Sequence, residues 1–270
     1  MNLKIDKLKK IFKEEGLIGL RFRLNLRFYK LYYLIKKFFK SNIVYSRYGI
    51  PLTANYRDNT FRMYVIGGYG DFYWNRLKNF SFEFVYIDIG ANQGLFSIAA
   101  AKNKFNKRVY SFEPVPEVFE KLKKNICLNK VEEKCFIINK AISNKNEKIN
   151  INFKSNHTGG SNLRTKKNIS DKIQVIEIES INNEKLCKYI KDHNHSKLII
   201  KIDVEGHELE VLKQLINSPI WKNVIEIFYE VDERWVDPFK IEIILKEAGI
   251  NNFQKIGKGN HYDILALKTK

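Results

Sequence analysis

Cysteine is scarce in this chain of 270 residues: Cys127, Cys135 and Cys187 are the three, and no two stand in a CxxC spacing. Histidines lie close in sequence only to Cys187 (His193 and His195), and one thiol beside them falls short of a zinc signature. A disulfide framework and a cysteine zinc site are thereby excluded, and the thiols are expected to be reduced, as in a cytoplasmic protein. Long apolar runs are missing too. None approaches the roughly 18 residues that a membrane span requires. The opening MNLKIDKLKK breaks any apolar core of a signal peptide with charges, so none is expected.

Acidic residues are outnumbered, 30 Asp and Glu against 48 Lys and Arg, for a net charge of +18. The imbalance is local. Residues 1–47 hold thirteen basic side chains against Asp6, Glu14 and Glu15. A surface for nucleic acid would spread its charge more widely, so the basic N-terminal arm needs a reading of its own, and no nucleic-acid partner is expected. Over residues 1–42, Arg23, Arg27, Lys30 and Lys37 recur at helical spacing while Leu20, Leu24, Phe28, Leu31 and Ile35 mark another face. Such an amphipathic arm either packs on its own domain or lies on an anionic membrane surface.

What is present in quantity is apolar and aromatic residue, 44% and 13%, enough for one full-sized core. Residues 43–66 alternate like strands and carry Pro51, and GGYGD (Gly67–Asp71) reads as a turn into a short helix over Phe72–Phe80. From Glu83 onward strands and helices alternate. Strands are expected at Phe84–Asp88, Arg108–Phe112, Lys134–Asn139, Leu198–Asp203 and Val224–Glu230. Between them lie helices at Leu95–Asn103, Glu117–Leu128, Asn182–His193 and Leu209–Ile216, and a last helix over Pro238–Ala248 is stopped by Gly249. The runs NFQKIG and YDILALK, joined by KGNH, form a hairpin. The fold class is therefore α/β and Rossmann-like: a mostly parallel seven-stranded sheet closed by a C-terminal antiparallel hairpin, preceded by an N-terminal helical arm. Residues 1–80 are assigned to the arm and a lid-like segment, and 81–270 to the ligand-binding domain. That domain carries an insertion at about 147–180, with strand-like runs EKININF and KIQVIEIES.

The stretch EFVYIDIGANQGLFSIAAA (Glu83–Ala101) is a strand, a glycine turn and a helix start, the layout of a cofactor loop. Its glycines are spaced G-x-x-x-G (Gly90, Gly94), so the second glycine of a dinucleotide fingerprint is absent. Asp88 ends the strand, where a carboxylate disfavours an anionic pyrophosphate and favours a cationic donor such as S-adenosylmethionine. Glu113 ends the next strand, nineteen residues after Gly94, and suits a ribose diol in either cofactor class.

A second cluster lies in KLIIKIDVEGHELEVLK (Lys197–Lys213), where an apolar strand ends in Asp203, followed by Glu205 and His207. This strand tip should neighbour the donor loop. Methylating a hydroxyl requires its proton to be removed as the new bond forms, and Asp203, Glu205 and His207 are the candidate bases. Asp203 suits equally the anchoring of the donor's amino group. Oxygen ligands on Asp203, Glu205 and Glu230 are scattered over strand tips, a weak pattern for a divalent ion, and no metal is assigned.

Taken together, IDIGANQG, FEPVPE, the LN at Leu128–Asn129, NKAIS, GGSNL and KIDVEGHELEVLK resemble the FkbM-like S-adenosylmethionine-dependent methyltransferases, in that family's order and over roughly Phe84 to Glu230. The resemblance implies a class I methyltransferase fold and methylation of a hydroxyl, on sugars of surface polysaccharides or on glycosylated metabolites. It implies that Asp88, Gly90, Asn92 and Gly94 form the donor loop, that Glu113 binds the ribose, and that Asn139, Ala141 and Ile142 lie along the adenine. Asp203, Glu205 and His207 would flank the methyl group and the acceptor.

Acceptor contacts are expected from the variable parts: His157, Gly159, Gly160, Ser161 and Arg164 of the insertion, with Tyr69, Asp71, Tyr73 and Trp74 of GGYGDFYW. The aromatics serve either to stack on a sugar or to pack as a lid. Membrane contact through the arm would suit a cytoplasmic enzyme working at the inner face of the membrane on nucleotide- or lipid-linked glycan acceptors. The competing readings are an NAD-dependent sugar oxidoreductase, disfavoured by glycine spacing and the terminal hairpin, and a non-catalytic membrane-docking protein that keeps a donor fold. A nucleic-acid methyltransferase is disfavoured by the lack of N-P-P-Y, D-P-P-Y and Pro-Cys sequences.

Overall fold

A computed structural model describes residues 24–67, 69–163, 173–191 and 196–268. In chain order the elements are α1 (24–38), β1 (Ile43–Tyr45), β2 (Pro51–Thr53), α2 (Asn59–Ile66), α3 (Asp71–Asn79), β3 (Phe84–Ile89), α4 (Leu95–Lys102), β4 (Asn106–Phe112) and α5 (Pro116–Leu128). There follow β5 (Cys135–Ile138), β6 (Ala141–Ile142), β7 (Lys148–Phe153), β8 (Gln174–Ile181), α6 (Asn183–Tyr189), β9 (Lys197–Ile202), α7 (Glu208–Ile216), β10 (Val224–Asp232), α8 (Pro238–Glu247), β11 (Asn252–Ile256) and β12 (His261–Leu267).

The main sheet has seven strands in the order β11-β12-β10-β9-β3-β4-β5. Strands β10, β9, β3, β4 and β5 are parallel, and β12 runs antiparallel to both of its neighbours. This is the expected fold class, with the hairpin at the expected end. Strand β3 shows why it is central. All six of its residues are buried, Val85, Ile87 and Ile89 on the core that holds α6, α7 and α8, and Phe84 and Tyr86 on the opposite one. A strand covered on both faces reads as a continuous apolar run. The stop after α8 is a glycine cap as expected: Gly249 has φ +89°, Ile250 N–H donates to the Leu245 carbonyl, and Gly249 N–H to that of Lys246.

Two segments differ from the sequence expectation. Residues 59–66, read as strand-like, form helix α2, because Asp58 caps it by accepting from Thr60 N (3.1 Å) and Phe61 N (3.2 Å). The cap buries Phe61, Tyr64 and Val65 at helical spacing. Only Ile43–Tyr45 and Pro51–Thr53 pair as strands in that stretch. In the insertion, β7 and β8 pair antiparallel as their sequences suggest, and β6 adds a third, parallel strand. Helix α6 ends at Tyr189, short of the expected His193, which with Arg164 and residues 1–23 of the arm lies outside the described residues.

The N-terminal segment shares the second core: Tyr33, Leu52, Phe61, Tyr73 and Leu77 pack with Phe84, Tyr86, Phe96 and Leu122. Arg76 of α3 grips Glu226 of β10 with two hydrogen bonds, Nε–Oε1 at 2.6 Å being one. Asp58 does more than cap α2. Its buried carboxylate also accepts from Gln93 Nε2 of the donor loop and from Thr158 N and Oγ1 (both 3.0 Å) of the insertion. One carboxylate thus ties three chain segments around the future site. Asp58→Ala should cost on the order of 3 kcal/mol in denaturant unfolding, since it strands several buried donors. Asp237→Ala, which removes an exposed cap on α8, should cost about 1 kcal/mol; equal losses would refute the three-way tie.

Candidate active site

Strand order reverses between β3 and β9, and a cavity of about 630 Å³ opens at the carboxyl ends of the parallel strands, where open α/β sheets bind their ligands. Its wall is acidic in a basic protein. Asp71, Glu113, Asp203, Glu205, Glu230 and Asp263 line it, against Lys140 and the histidines His157, His207 and His261.

The donor loop leaves β3 at Gly90, whose φ is +80°. A Cβ there would fall 1.9 Å from the Asp203 carbonyl oxygen, so only glycine lets the loop sit against the tip of β9. Asn92, at φ +51°, donates its amide to Glu113 Oε2 (2.9 Å), and Val115 donates its amide to Oε1 (3.0 Å). Burial pushes the Glu113 carboxyl up to about 7 despite these two amides. Gly90, Asn92, Glu113, Ala141 and Ile142 all line the cavity. Asp88, Gly94 and Asn139 stand behind its wall instead. Gly94 is required for packing, since a Cβ would meet Leu122 Cδ1 at 2.5 Å. Asn139 turns back to donate to the Glu113 and Pro114 carbonyls (2.8 and 2.9 Å).

Asp88 is buried, and its Oδ2 accepts from Ser97 Oγ (2.6 Å), which accepts in turn from Ser111 Oγ (2.8 Å). Among the described residues its Oδ1 has no hydrogen-bond partner, and it faces Lys201 Nζ at 3.8 Å. Lys201, paired with Asp88 in the sheet register, donates to Asp203 Oδ2 (3.0 Å). Burial works against its charge, but Asp203 and Asp88 outweigh it and hold its pKa above the ordinary lysine value. Tyr69 Oη donates to the same Asp203 Oδ2 (2.7 Å). Asp88 therefore meets the cavity through Lys201 and Asp203.

The β9–α7 loop carries the other expected residues. Glu205 sits at φ +55° and lines the cavity. His207 Nε2 lies 3.3 Å from Ser143 Oγ, beside the Ala141–Ile142 strand, and burial lowers its pKa. The loop is held by Glu208, which is 1% exposed; its Oε1 accepts from Val204 N (3.2 Å) and Gly206 N (3.0 Å).

At the far end, β12 contributes residues that sequence reasoning passed over. Because it runs antiparallel, its first residues reach the rim, placing Asp263 opposite Glu230 and His261 opposite Asp232. His261 Nε2 lies 2.7 Å from Glu230 Oε1, and that hydrogen bond raises the imidazole to about 9, so it is protonated at neutral pH. Burial, with Asp203 and Glu230 nearby, pushes Asp263 up to about 7. Carboxylate oxygens of Asp203, Glu205 and Glu230, scattered in sequence, come within 4.8 Å of one another. The sequence signal for His261 and Asp263 is the hairpin turn itself, KGNHYD.

Of the expected acceptor residues, Tyr69, Asp71, Tyr73, His157, Gly159 and Ser161 line the cavity, and Trp74 and Gly160 do not. Asp71 is already engaged by Tyr48 Oη (2.8 Å) and Arg47 (3.4 Å). Tyr73 stacks on Phe228 at 4.0 Å and Trp74 on Tyr48 at 4.7 Å, so both have partners within the protein. Arg164 lies outside the described residues.

This strand order, with a glycine turn after the central strand and an acid after the next, is that of the class I methyltransferase fold. The family model of the methyltransferase FkbM domain matches residues 88–251, and the chain belongs to that family. With the family comes S-adenosylmethionine as the methyl donor. A curated relative, methyltransferase sdnD of Sordaria araneosa, is 25% identical over 190 residues, covering 61% of this chain and 73% of that one. Among solved structures, methyltransferase FkbM from Methylobacillus flagellatus aligns at 13% identity and a TM-score of 0.48, over 68% of this chain and 43% of that one. TrmK of M. capricolum, determined with S-adenosylhomocysteine, aligns at 13% identity and a TM-score of 0.44, over 74% and 69%.

The residues present fit the donor. Its sulfonium and ammonium are cations, which an acid-lined wall favours and a pyrophosphate would not be. Glu113, Ala141 and Ile142 line the cavity, and would offer a carboxylate to the donor's ribose diol and apolar wall to its base.

Burial also raises Glu208 to about 7, and its Oε2 has no partner. A carboxyl whose folded pKa exceeds its unfolded value of 4.5 holds its proton more tightly when folded. Its stabilising share is present at low pH and is lost as pH rises through about 7. Thermal unfolding should therefore show a midpoint that falls between about pH 5 and about pH 8. Glu208→Gln should flatten that fall, and an unchanged slope would rule out the assignment.

Proposed function

We propose that this methyltransferase acts on a hydroxyl of a sugar or glycan precursor. The observation that carries the reading is the acceptor end of the cavity, where Asp203, Glu230 and Asp263 gather with Tyr69 and Tyr262. Carboxylates accept from sugar hydroxyls and aromatic rings offer apolar faces to a sugar ring. The same acids make an anionic reaction centre an unfavourable guest.

When bound, the donor supplies an electrophilic methyl group on its sulfonium. Asp203 is oriented by Lys201 and Tyr69 through one oxygen, which leaves its other oxygen for the donor's amino group or the acceptor hydroxyl. Asp263 would take the proton that the acceptor hydroxyl loses on methylation. A carboxyl near 7 is matched to that task. Glu205 and Glu230 hold neighbouring hydroxyls, with His261 fixing Glu230. His207 is assigned to the adenine side because of its Ser143 contact. His157 and Ser161 close the acceptor end from the insertion. Asp88 acts as a positioning residue through Lys201.

No helix among the described residues is long and apolar enough to cross a membrane. Peripheral contact at the cytoplasmic membrane face belongs to the same reading and would bring lipid-linked acceptors within reach.

Labelled S-adenosylmethionine incubated with nucleotide- and lipid-linked sugar precursors should give an acceptor heavier by one methyl, with the label on oxygen. Asp263→Asn should lower kcat by about 10²–10⁴ and abolish the rise of kcat/KM with pH around 7. Label on nitrogen or carbon, or an unaltered pH profile in Asp263→Asn, would overturn the assignment.

A further inference from the structure

Helix α1 has two faces of different fate. One rests on the domain. Tyr33 is buried against Tyr56 and Phe61, with ring centroids 5.8 and 6.4 Å apart, and Tyr29 Oη donates to the Arg47 carbonyl (3.3 Å). Tyr56 Oη donates in turn to the Lys36 carbonyl (2.8 Å). Among the described residues the other face is apolar and open. Leu24, Phe28, Leu31, Ile35, Phe38 and Phe39 recur at helical spacing, and Phe28, Phe38 and Phe39 are 64%, 80% and 72% exposed. Monomeric surfaces rarely leave a contiguous apolar stripe of this kind uncovered.

The charge around the stripe identifies its partner. From residue 24 to residue 57 the sequence contains no Asp or Glu, while α1 and the turn that follows it carry Arg27, Lys30, Lys36, Lys37 and Lys40. A protein partner cradling an apolar helix does not require such one-signed flanks. An anionic lipid surface does: rings enter the acyl boundary while Lys and Arg reach the headgroups.

We propose that the 24–40 face of α1 docks the enzyme on a bilayer bearing anionic headgroups. The placement also bears on the active site. Tyr33 packs on Phe61 of α2, and the same helix sends Thr60, Met63 and Tyr64 to the cavity wall. The docked face and the acceptor end are therefore joined by one short helix. The surface stands on α1 alone, whereas its use in reaching a lipid-linked acceptor rests on the function proposed above.

Sedimentation of the full chain with phosphatidylcholine vesicles, with and without phosphatidylserine, tests this. Binding should be at least tenfold tighter with phosphatidylserine and should weaken at high salt, as each basic group near the surface contributes about fivefold. The triple variant Phe28→Ser, Phe38→Ser, Phe39→Ser should lose vesicle binding while keeping S-adenosylmethionine affinity in solution. Undiminished vesicle binding by the triple variant, or no preference for phosphatidylserine, would overturn the proposal. So would a wild-type dimer in solution that the same substitutions dissociate, since the face would then be covered by a second copy. Absence of S-adenosylmethionine affinity in the wild type would instead count against the function and leave the vesicle result standing.

Discussion

Lys201 between Asp88 and Asp203 is the interaction on which the site depends. A buried ammonium is tolerated only when opposing charge and hydrogen bonds outweigh its lost hydration. Here the carboxylates come from the tips of two adjacent parallel strands, so the charge balance closes only when β3 and β9 are in register. The same register sets the Asp203 carbonyl against Gly90, a contact that admits no side chain. Fold and site are thus specified together: the strand pairing that completes the ion triad also opens the crevice and aims Asp203 into it.

Charge is sorted by position. The protein carries +18 overall, yet its cavity is lined by six carboxylates and one lysine. A cationic methyl donor is drawn to such a wall, and a neutral polyhydroxyl acceptor finds acceptors for its hydroxyls there. The positive excess lies outside the cavity lining, and by sequence much of it belongs to the N-terminal arm. A chain read only by net charge would suggest a nucleic-acid partner; the placement of the charge argues otherwise.

Much of this was legible in the sequence, for physical reasons. Buried parallel strands are continuous apolar runs, glycine is favoured where φ is positive, and acids at strand tips fall where ligands bind. The five parallel strands, the hairpin, the Gly249 stop, Gly90 and Glu113 followed from those rules. What was not legible was non-local. Lys201 looks like an interruption of an apolar strand until its two carboxylate partners are in place. His261 and Asp263 reach the site only because β12 runs against the sheet, a matter of topology and not of local pattern. Helix α2 was hidden because Phe61, Tyr64 and Val65 lie beside strand-like alternation, and the Asp58 cap was overlooked. Tyr73 and Trp74 sit in an aromatic-rich segment whose packing partners, Phe228 and Tyr48, are remote or on another element.

The central claim is that the acid-lined crevice between β3 and β9 is a methyl-donor site. Calorimetric titration of the full chain with S-adenosylmethionine and, separately, with NAD tests it most directly. S-adenosylmethionine should bind saturably at one site per chain, with affinity weakened strongly by Glu113→Ala, and NAD should not bind. Binding of NAD in preference, or S-adenosylmethionine affinity indifferent to Glu113→Ala, would contradict it.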